Sequence, residues 1–174
     1  DDIPRITLLN DSIRYTPSRY IRRFIRLEGS FKEYLAKFSS KSRSTLAKKV
    51  RKFSEMSGGQ IQWKEFQEPQ DTEEFLKLAT ELSKKTYQER LLNSGLPKGA
   101  EFWEEVRVRA TQNAVRGYLL YLEEKPVAYL YCPVQDGVLL YQNLGYEPKY
   151  AHASPGIVLQ YIVLEKLFLE QKFR

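Results

Sequence analysis

The residues best suited to chemistry in this chain lie close together, between Tyr141 and Ile157. Ser154-Pro155-Gly156 reads as a helix start. Ser154 suits the N-cap, Pro155 the first helical position, and Gly156 leaves the first turn without side-chain bulk. Such an end presents backbone N–H groups without partners and the positive end of the helix dipole, which together suit a phosphate. The same three residues also describe an ordinary capped helix, so the surroundings must carry the reading. Upstream stand Tyr129, Tyr131, Tyr141, Tyr146 and Tyr150, near enough in sequence to line a cleft, with the carboxylate Glu147 and His152, the single histidine of the chain. An imidazole exchanges its proton near neutral pH, and phenols and carboxylates do so when their surroundings shift them. Eight of the 12 tyrosines fall between Tyr118 and Tyr161. Aromatic strand faces more often form core or groove wall than proton relays.

Composition removes other chemistries. One cysteine, Cys132, excludes internal disulfides and thiolate zinc clusters, and one histidine excludes a His-based metal centre. No metal is expected. A length of 174 residues suits one domain with a substantial core, and 42% hydrophobic with 29% charged residues is a soluble composition. No run is long and apolar enough to span a bilayer, and no signal-peptide pattern opens the chain, so a cytoplasmic location is expected.

The elements that must position the loop follow from patterning. Three strand-like runs precede it: Gly117–Leu122, Val127–Pro133 and Val138–Asn143. They are joined by Glu123-Glu124-Lys125-Pro126 and by Gln135-Asp136-Gly137, and Asp-Gly between apolar runs signals a hairpin. The middle run is apolar on both faces, which predicts a central, doubly covered strand. The Ser-Pro-Gly helix then crosses back over the sheet, with Ile157, Tyr161, Leu164 and Phe168 on one stripe that Val158, Ile162 and Leu169 widen, a breadth that expects neighbours on more than one side. Further upstream, the pattern predicts a strand over Gln60–Phe66. A helix opened by a D-x-x-E capping pattern at Asp71–Glu74 follows, running through Phe75, Leu78 and Leu82 toward Tyr87. After a break at Asn93–Gly99 comes a helix with Phe102, Val106 and Ala110 inward. Residues 1–19 read as extended or loop, Tyr20–Leu27 as a strand, and Phe31–Phe38 as a helix.

Charge is uneven. Residues 1–53 carry 14 Lys/Arg against 5 Asp/Glu, a net +9, while the remainder carries 14 against 17, a net −3. Ser39–Glu55 concentrates it: Lys41, Arg43, Lys48, Lys49, Arg51 and Lys52 surround an apolar stripe of Leu46, Val50 and Phe53, capped by Ser39 or Ser40. Three readings stay open. The face is simply solvated; or it meets an acidic partner such as a polysaccharide intermediate, a membrane headgroup or a phosphorylated cofactor; or it meets nucleic acid.

The phrases FKEYLAKFSSKSRSTLAKKVRKF, TYQERLL, PVAYLY and YEPKYAHASPGIVLQ resemble the CelD-like acetyltransferases of the GNAT fold, distant relatives of the Fem peptidyltransferases. The resemblance implies an α/β (α+β) domain with a GNAT-like mixed sheet and flanking helices. It divides the chain into an amino-terminal extension, 1–59, and an acyltransferase core, 60–174. The core is expected to be truncated before the strand that follows the crossover helix, leaving an open sheet edge through which copies could associate. Acetyl-CoA or another acyl-CoA is the implied donor, and an amine or hydroxyl of a sugar, envelope or polysaccharide precursor the implied acceptor. The implied cofactor-binding residues are Leu144, Gly145, Ser154, Pro155, Gly156 and Ile157, with a backbone N–H near Asn143–Gly145 facing the developing oxyanion. Asn143, Tyr146 and His152 are the implied catalytic residues. The Fem relatives use aminoacyl-tRNA, so a tRNA-dependent peptidyltransferase is the alternative, and a non-catalytic partner module a third.

Overall fold

Strand β5 (Lys125–Gln135) is the axis of the molecule, and every residue from Val127 to Pro133 on it is buried. The computed structural model describes residues 4–17, 23–86 and 95–173. On one side β5 pairs antiparallel with β4 (Val115–Leu122), which pairs in turn with β3 (Gln62–Phe66). The β4–β5 turn needs two left-handed residues, and Glu123 and Glu124 supply them at φ 51° and 63°. At the other end Asp136-Gly137 turns the chain back, as its sequence predicts. Here the expected strand Val138–Asn143 divides. A two-residue strand β6 (Val138–Leu139) pairs with Val134 and Gln135, the chain bulges at Leu140–Gln142, and β7 (Asn143–Tyr146) pairs with Ala128–Tyr131 one residue out of step. Among the described residues β6 and β7 form an open edge.

Helices cover both faces. On one, α3 (Pro69–Ser83) and α4 (Ala100–Thr111) bury Phe75, Leu76, Ala79, Leu82, Phe102 and Val106 against Leu119, Tyr129 and Tyr131. On the other, α5 (Pro155–Glu170) and Phe53 of α2 (Ser40–Met56) pack on Leu120, Ala128, Leu130 and Cys132. The short helix α1 (Phe31–Ala36) caps this layer, with Phe31 and Tyr34 against Phe168 at ring separations of 5.8 and 5.2 Å. The sheet-facing residues of α5 are Val158, Leu159, Val163 and Leu167; of the predicted broad stripe, Val158 lies in this core and Ile162 at its margin, while Leu169 is exposed. Phe168 instead meets α1. A helix wrapped on three sides has no single inner stripe for periodicity to find.

One partly buried polar cluster ties β3, β4 and α5 together. Glu65 of β3 reaches Lys166 of α5 at 3.0 Å and Arg116 of β4 at 3.7 Å, while the Arg116 guanidinium donates to the Val115 carbonyl at 2.6 Å. Lys166 also pairs with Glu170, one turn on. Only Arg116 is fully buried, so loss of Glu65 is the change that would leave a desolvated charge without its carboxylate.

Three sequence expectations differ in detail. Helix α3 begins at Pro69, which fits the first helical position, so Asp71 lies inside the first turn and caps nothing. The capping box forms instead at α1, where Ser30 N–H donates to Glu33 at 2.7 Å and Glu33 N–H to Ser30 Oγ at 3.2 Å. Residues 4–17 hold a hairpin of β1 (Ile6–Leu9) and β2 (Ser12–Tyr15), and Arg23–Leu27 has no strand pairing. The rest of the predicted Tyr20–Leu27 strand, Tyr87, the phrase TYQERLL from Tyr87 onward, and Asn93-Ser94 lie outside the described residues.

Candidate active site

Strand β7 sets the phase of the site. Glu147 N–H donates to the Val127 carbonyl at 2.9 Å. Alternate residues of an antiparallel pair exchange these bonds, so Asn143, Gly145 and Glu147 turn their backbone toward β5. Leu144 and Tyr146 therefore turn N–H and C=O outward, to the open edge. Of the span expected to offer an oxyanion donor, Asn143–Gly145, the Leu144 N–H is the one this phase aims away from β5.

Side chains alternate as well, and this separates the candidate catalytic residues. Asn143 sits opposite Tyr131 and donates through Nδ2 to the Gly95 carbonyl at 3.1 Å, on the α3 side. Among the described residues its Oδ1 is buried without a hydrogen-bond partner. Gly145 faces the same way: a Cβ there would collide with the Tyr129 ring and lie 2.8 Å from the Thr86 methyl. Leu144 and Tyr146 point to the other face. A Cβ on Gly156 would stand 3.0 Å from Leu144 and 3.3 Å from Tyr146. Asn143 and Tyr146 are thus on opposite faces of one strand and do not converge. Leu139 and Leu144 share one apolar cluster although an unbroken strand would put them on opposite faces, which is the work of the bulge.

The turn Pro148–Ala153 carries the chain from β7 to α5 and exposes His152. Ser154 occupies the N-cap at φ 54°, a left-handed conformation rare outside glycine, and its hydroxyl makes no cap bond. Pro155 has no N–H, and the N–H groups of Ile157 and Val158 bond back to the Ser154 carbonyl at 3.0 and 3.1 Å. Ser154 Oγ and Gly156 N–H are therefore the donors left at this helix start. Gly156 is itself buried against β7, so its lack of a side chain serves strand–helix packing. The sequence pointed to the glycine but not to the contact that requires it.

The other titratable candidates are committed elsewhere. Tyr129 and Tyr131 are buried in the α3–α4 core, and burial pushes the Tyr131 phenol up to about 12. Burial also raises the Cys132 thiol, so it is no nucleophile at neutral pH. Glu147 is held by Lys85 at 3.0 Å, and Tyr150 packs against the α5-side core. Tyr146 is 38% exposed beside the helix start. Along the open edge, Val138, Leu139 and Tyr141 face Val163, Leu164 and Leu167 of α5 across a groove of about 400 Å³, flanked by Arg23–Leu27. Among the described residues, no cluster of His, Cys, Asp or Glu could hold a metal ion, and no helix is long and apolar enough to cross a membrane.

A family model described as an acetyltransferase (GNAT) domain matches residues 40–172. The chain belongs to the GNAT acetyltransferase family. Acyl-CoA is the donor in this chemistry, and the match takes in the basic helix α2 as well as the sheet. An aminoglycoside acetyltransferase from an uncultured soil metagenomic sample, solved with sisomicin, is 16% identical over 66% of this chain and 73% of its own, with a TM-score of 0.47. The PaiA N-acetyltransferase of Thermoplasma acidophilum, solved with coenzyme A, is 17% identical over 64% and 75%, with a TM-score of 0.37. No curated protein sequence matches the chain. The residues present suit the GNAT cofactor: the helix start, with a hydroxyl that makes no cap bond, adjoins the open edge strand at Leu144 and Tyr146.

One contributor at this site was not legible in the sequence. Lys52 of α2 donates from Nζ to the His152 carbonyl at 3.1 Å, across a separation of 100 residues. The basic helix therefore borders the helix start. Its charge pattern was visible in the sequence, but not where it would lie.

Proposed function

We propose that this GNAT domain transfers an acyl group from acyl-CoA to an amine or hydroxyl of a sugar, envelope or polysaccharide precursor. The observation that carries the donor half is the outward-facing backbone of Leu144 and Tyr146, continuous with the free donors of Ser154 and Gly156. Acyl-CoA supplies the activated thioester. Leu144 N–H would polarise that thioester's carbonyl, as a fixed donor in a partly dry site does effectively. Ser154 Oγ, Gly156 N–H and the dipole of α5 hold the phosphates, and Pro155 and Ile157 set the first turn in place.

Tyr146 is the proton-transfer residue best supported by position, because it shares the face of Leu144 and is partly open to solvent. Asn143 suits a different task. Its amide is anchored by Gly95 and its Oδ1 is buried on the face away from Tyr146, so it ties the edge strand to the loop before α4 rather than meeting the acceptor. His152 is exposed in the turn next to the helix start, on the phosphate side with Lys52. The acceptor class rests on the CelD-like phrases of the sequence.

The lysines of α2 favour a second reading, an aminoacyl-tRNA donor of the Fem kind, since a polyanion would suit them equally. Titration calorimetry with acetyl-CoA, followed by thiol release with a panel of amino sugars and sugar hydroxyls, decides between the readings. Binding of acetyl-CoA with acceptor-dependent thiol release is expected. Failure to bind it, alongside salt-sensitive tRNA binding, would overturn the acyl-CoA reading in favour of the second.

A further inference from the structure

The start of α5 is a thin receptor for a nucleotide cofactor. Two donors remain there, Ser154 Oγ and Gly156 N–H, and coenzyme A carries a pyrophosphate and, separately, a phosphate on its ribose 3′ position. Charge for the rest must come from somewhere, and the nearest supply is α2. Lys52 Nζ rests on the His152 carbonyl, and His152 is two residues, at most about 7 Å of chain, from the N-cap Ser154. That bond uses one of three ammonium donors and leaves two.

Lys52 does not stand alone. Lys41, Thr45, Lys48 and Lys52 follow each other at spacings of four, three and four, which is one face of a helix, with Lys49 alongside. Phe53, next to Lys52, is fully buried among Ala153, Val158 and Leu159, so the lysine face is held in a fixed rotation beside the helix start. An ordinary solvated face interleaves acids with bases. Here the one acid of α2, Glu55, pairs with Arg51, and none of Lys41, Lys48, Lys49 or Lys52 has a carboxylate within salt-bridge distance among the described residues. Lys149, over the Tyr150 ring at 4.8 Å, adds a further cation from the turn itself.

We propose that this lysine face, through Lys52 and Lys48, binds the 3′-phosphate of the coenzyme A adenosine end. The inference rests on the acyl-CoA reading and extends it to a helix outside the edge strand and crossover helix. It makes α2 a component of cofactor recognition rather than of acceptor choice.

The test compares coenzyme A with dephospho-coenzyme A, which differs only in lacking that phosphate, by titration calorimetry at fixed salt. The wild-type protein should bind coenzyme A tighter by about tenfold, the scale of one charge-assisted contact. In Lys48→Gln/Lys52→Gln the preference should fall to within about twofold, and Lys48→Gln alone, which leaves the His152 contact intact, should lower it partway. Each change is exposed on a helix that glutamine accommodates, and unchanged melting checks the fold. A preference that survives in the double variant, or that is missing from the wild type, overturns the inference while leaving the acyl-CoA reading standing. Failure of both ligands to bind the wild type overturns the reading and the inference together.

Discussion

Gly145 is where the edge strand is most sensitive to a single methyl group. An alanine Cβ there would collide with the Tyr129 ring and lie 2.8 Å from the Thr86 methyl. Comfortable carbon contacts are about 3.5–4.0 Å, so both neighbours would have to yield by about an ångström. Neither has room. Tyr129 is 1% exposed and Thr86 2%, and both belong to the packed α3 side of the sheet. Overpacking of this kind costs about 1–3 kcal/mol, and collision on two sides puts Gly145→Ala toward the upper end, about 2–3 kcal/mol. For a chain of 174 residues that is a fall of about 5–10 °C in Tm. Denaturant unfolding of Gly145→Ala, Tyr129→Leu and the double variant supplies the assay. A leucine in place of the ring should relieve the collision, so the double variant should show a coupling of at least about 1 kcal/mol. Additive losses, or a Tm within about 2 °C of wild type for Gly145→Ala, would refute the claim that the ring packs across this glycine.

Two further outcomes follow from contacts on the two faces. Gly156→Val places a branched side chain where a Cβ already stands 3.0 Å from Leu144, so it should lower Tm by several degrees together with any loss of acyl-CoA affinity. Affinity loss at unchanged Tm would contradict the packing role. Burial raises the Tyr131 phenol to about 12 from an ordinary 10.0, so the unfolded chain loses this proton first as pH rises. The stability tied to it is present below pH 10 and is lost between about 10 and 12. Tyr131→Phe should flatten that alkaline limb in pH-dependent denaturant melts, and an unaltered limb would show that the phenol ionises freely.

Much of the frame was legible because it is written in short-range signals. Asp136-Gly137 forces a left-handed turn, the two-sided apolar run at Val127–Pro133 demands a central strand, and Ser39 caps the basic helix through Ser42 N–H. The crossover helix followed from Ser-Pro-Gly. The edge strand was misread because Leu140, Tyr141 and Gln142 suit a strand as well as their neighbours do, and a bulge is a relation between two strands rather than a property of one. Site geometry suffered for the same reason. Asn143 and Tyr146 are three apart, which alternation places on opposite faces, and the phase relative to β5 rests on a bond between Glu147 and Val127. The contact between Lys52 and His152 leaves no local trace in either segment.

The bulge works as an expansion joint. It absorbs one surplus residue between two stretches that each keep their own phase against β5, so Leu139 and Leu144 both reach the α5 core despite an odd separation. A loss of one residue within Leu140–Gln142 would straighten the rim yet leave both flanking pairings as they are. A loss of one residue inside β7 has no such absorber and would invert the remainder of the strand, sending core side chains to the wrong layer and outward amides inward. Length is thus negotiable at three positions of this rim and fixed at the next four.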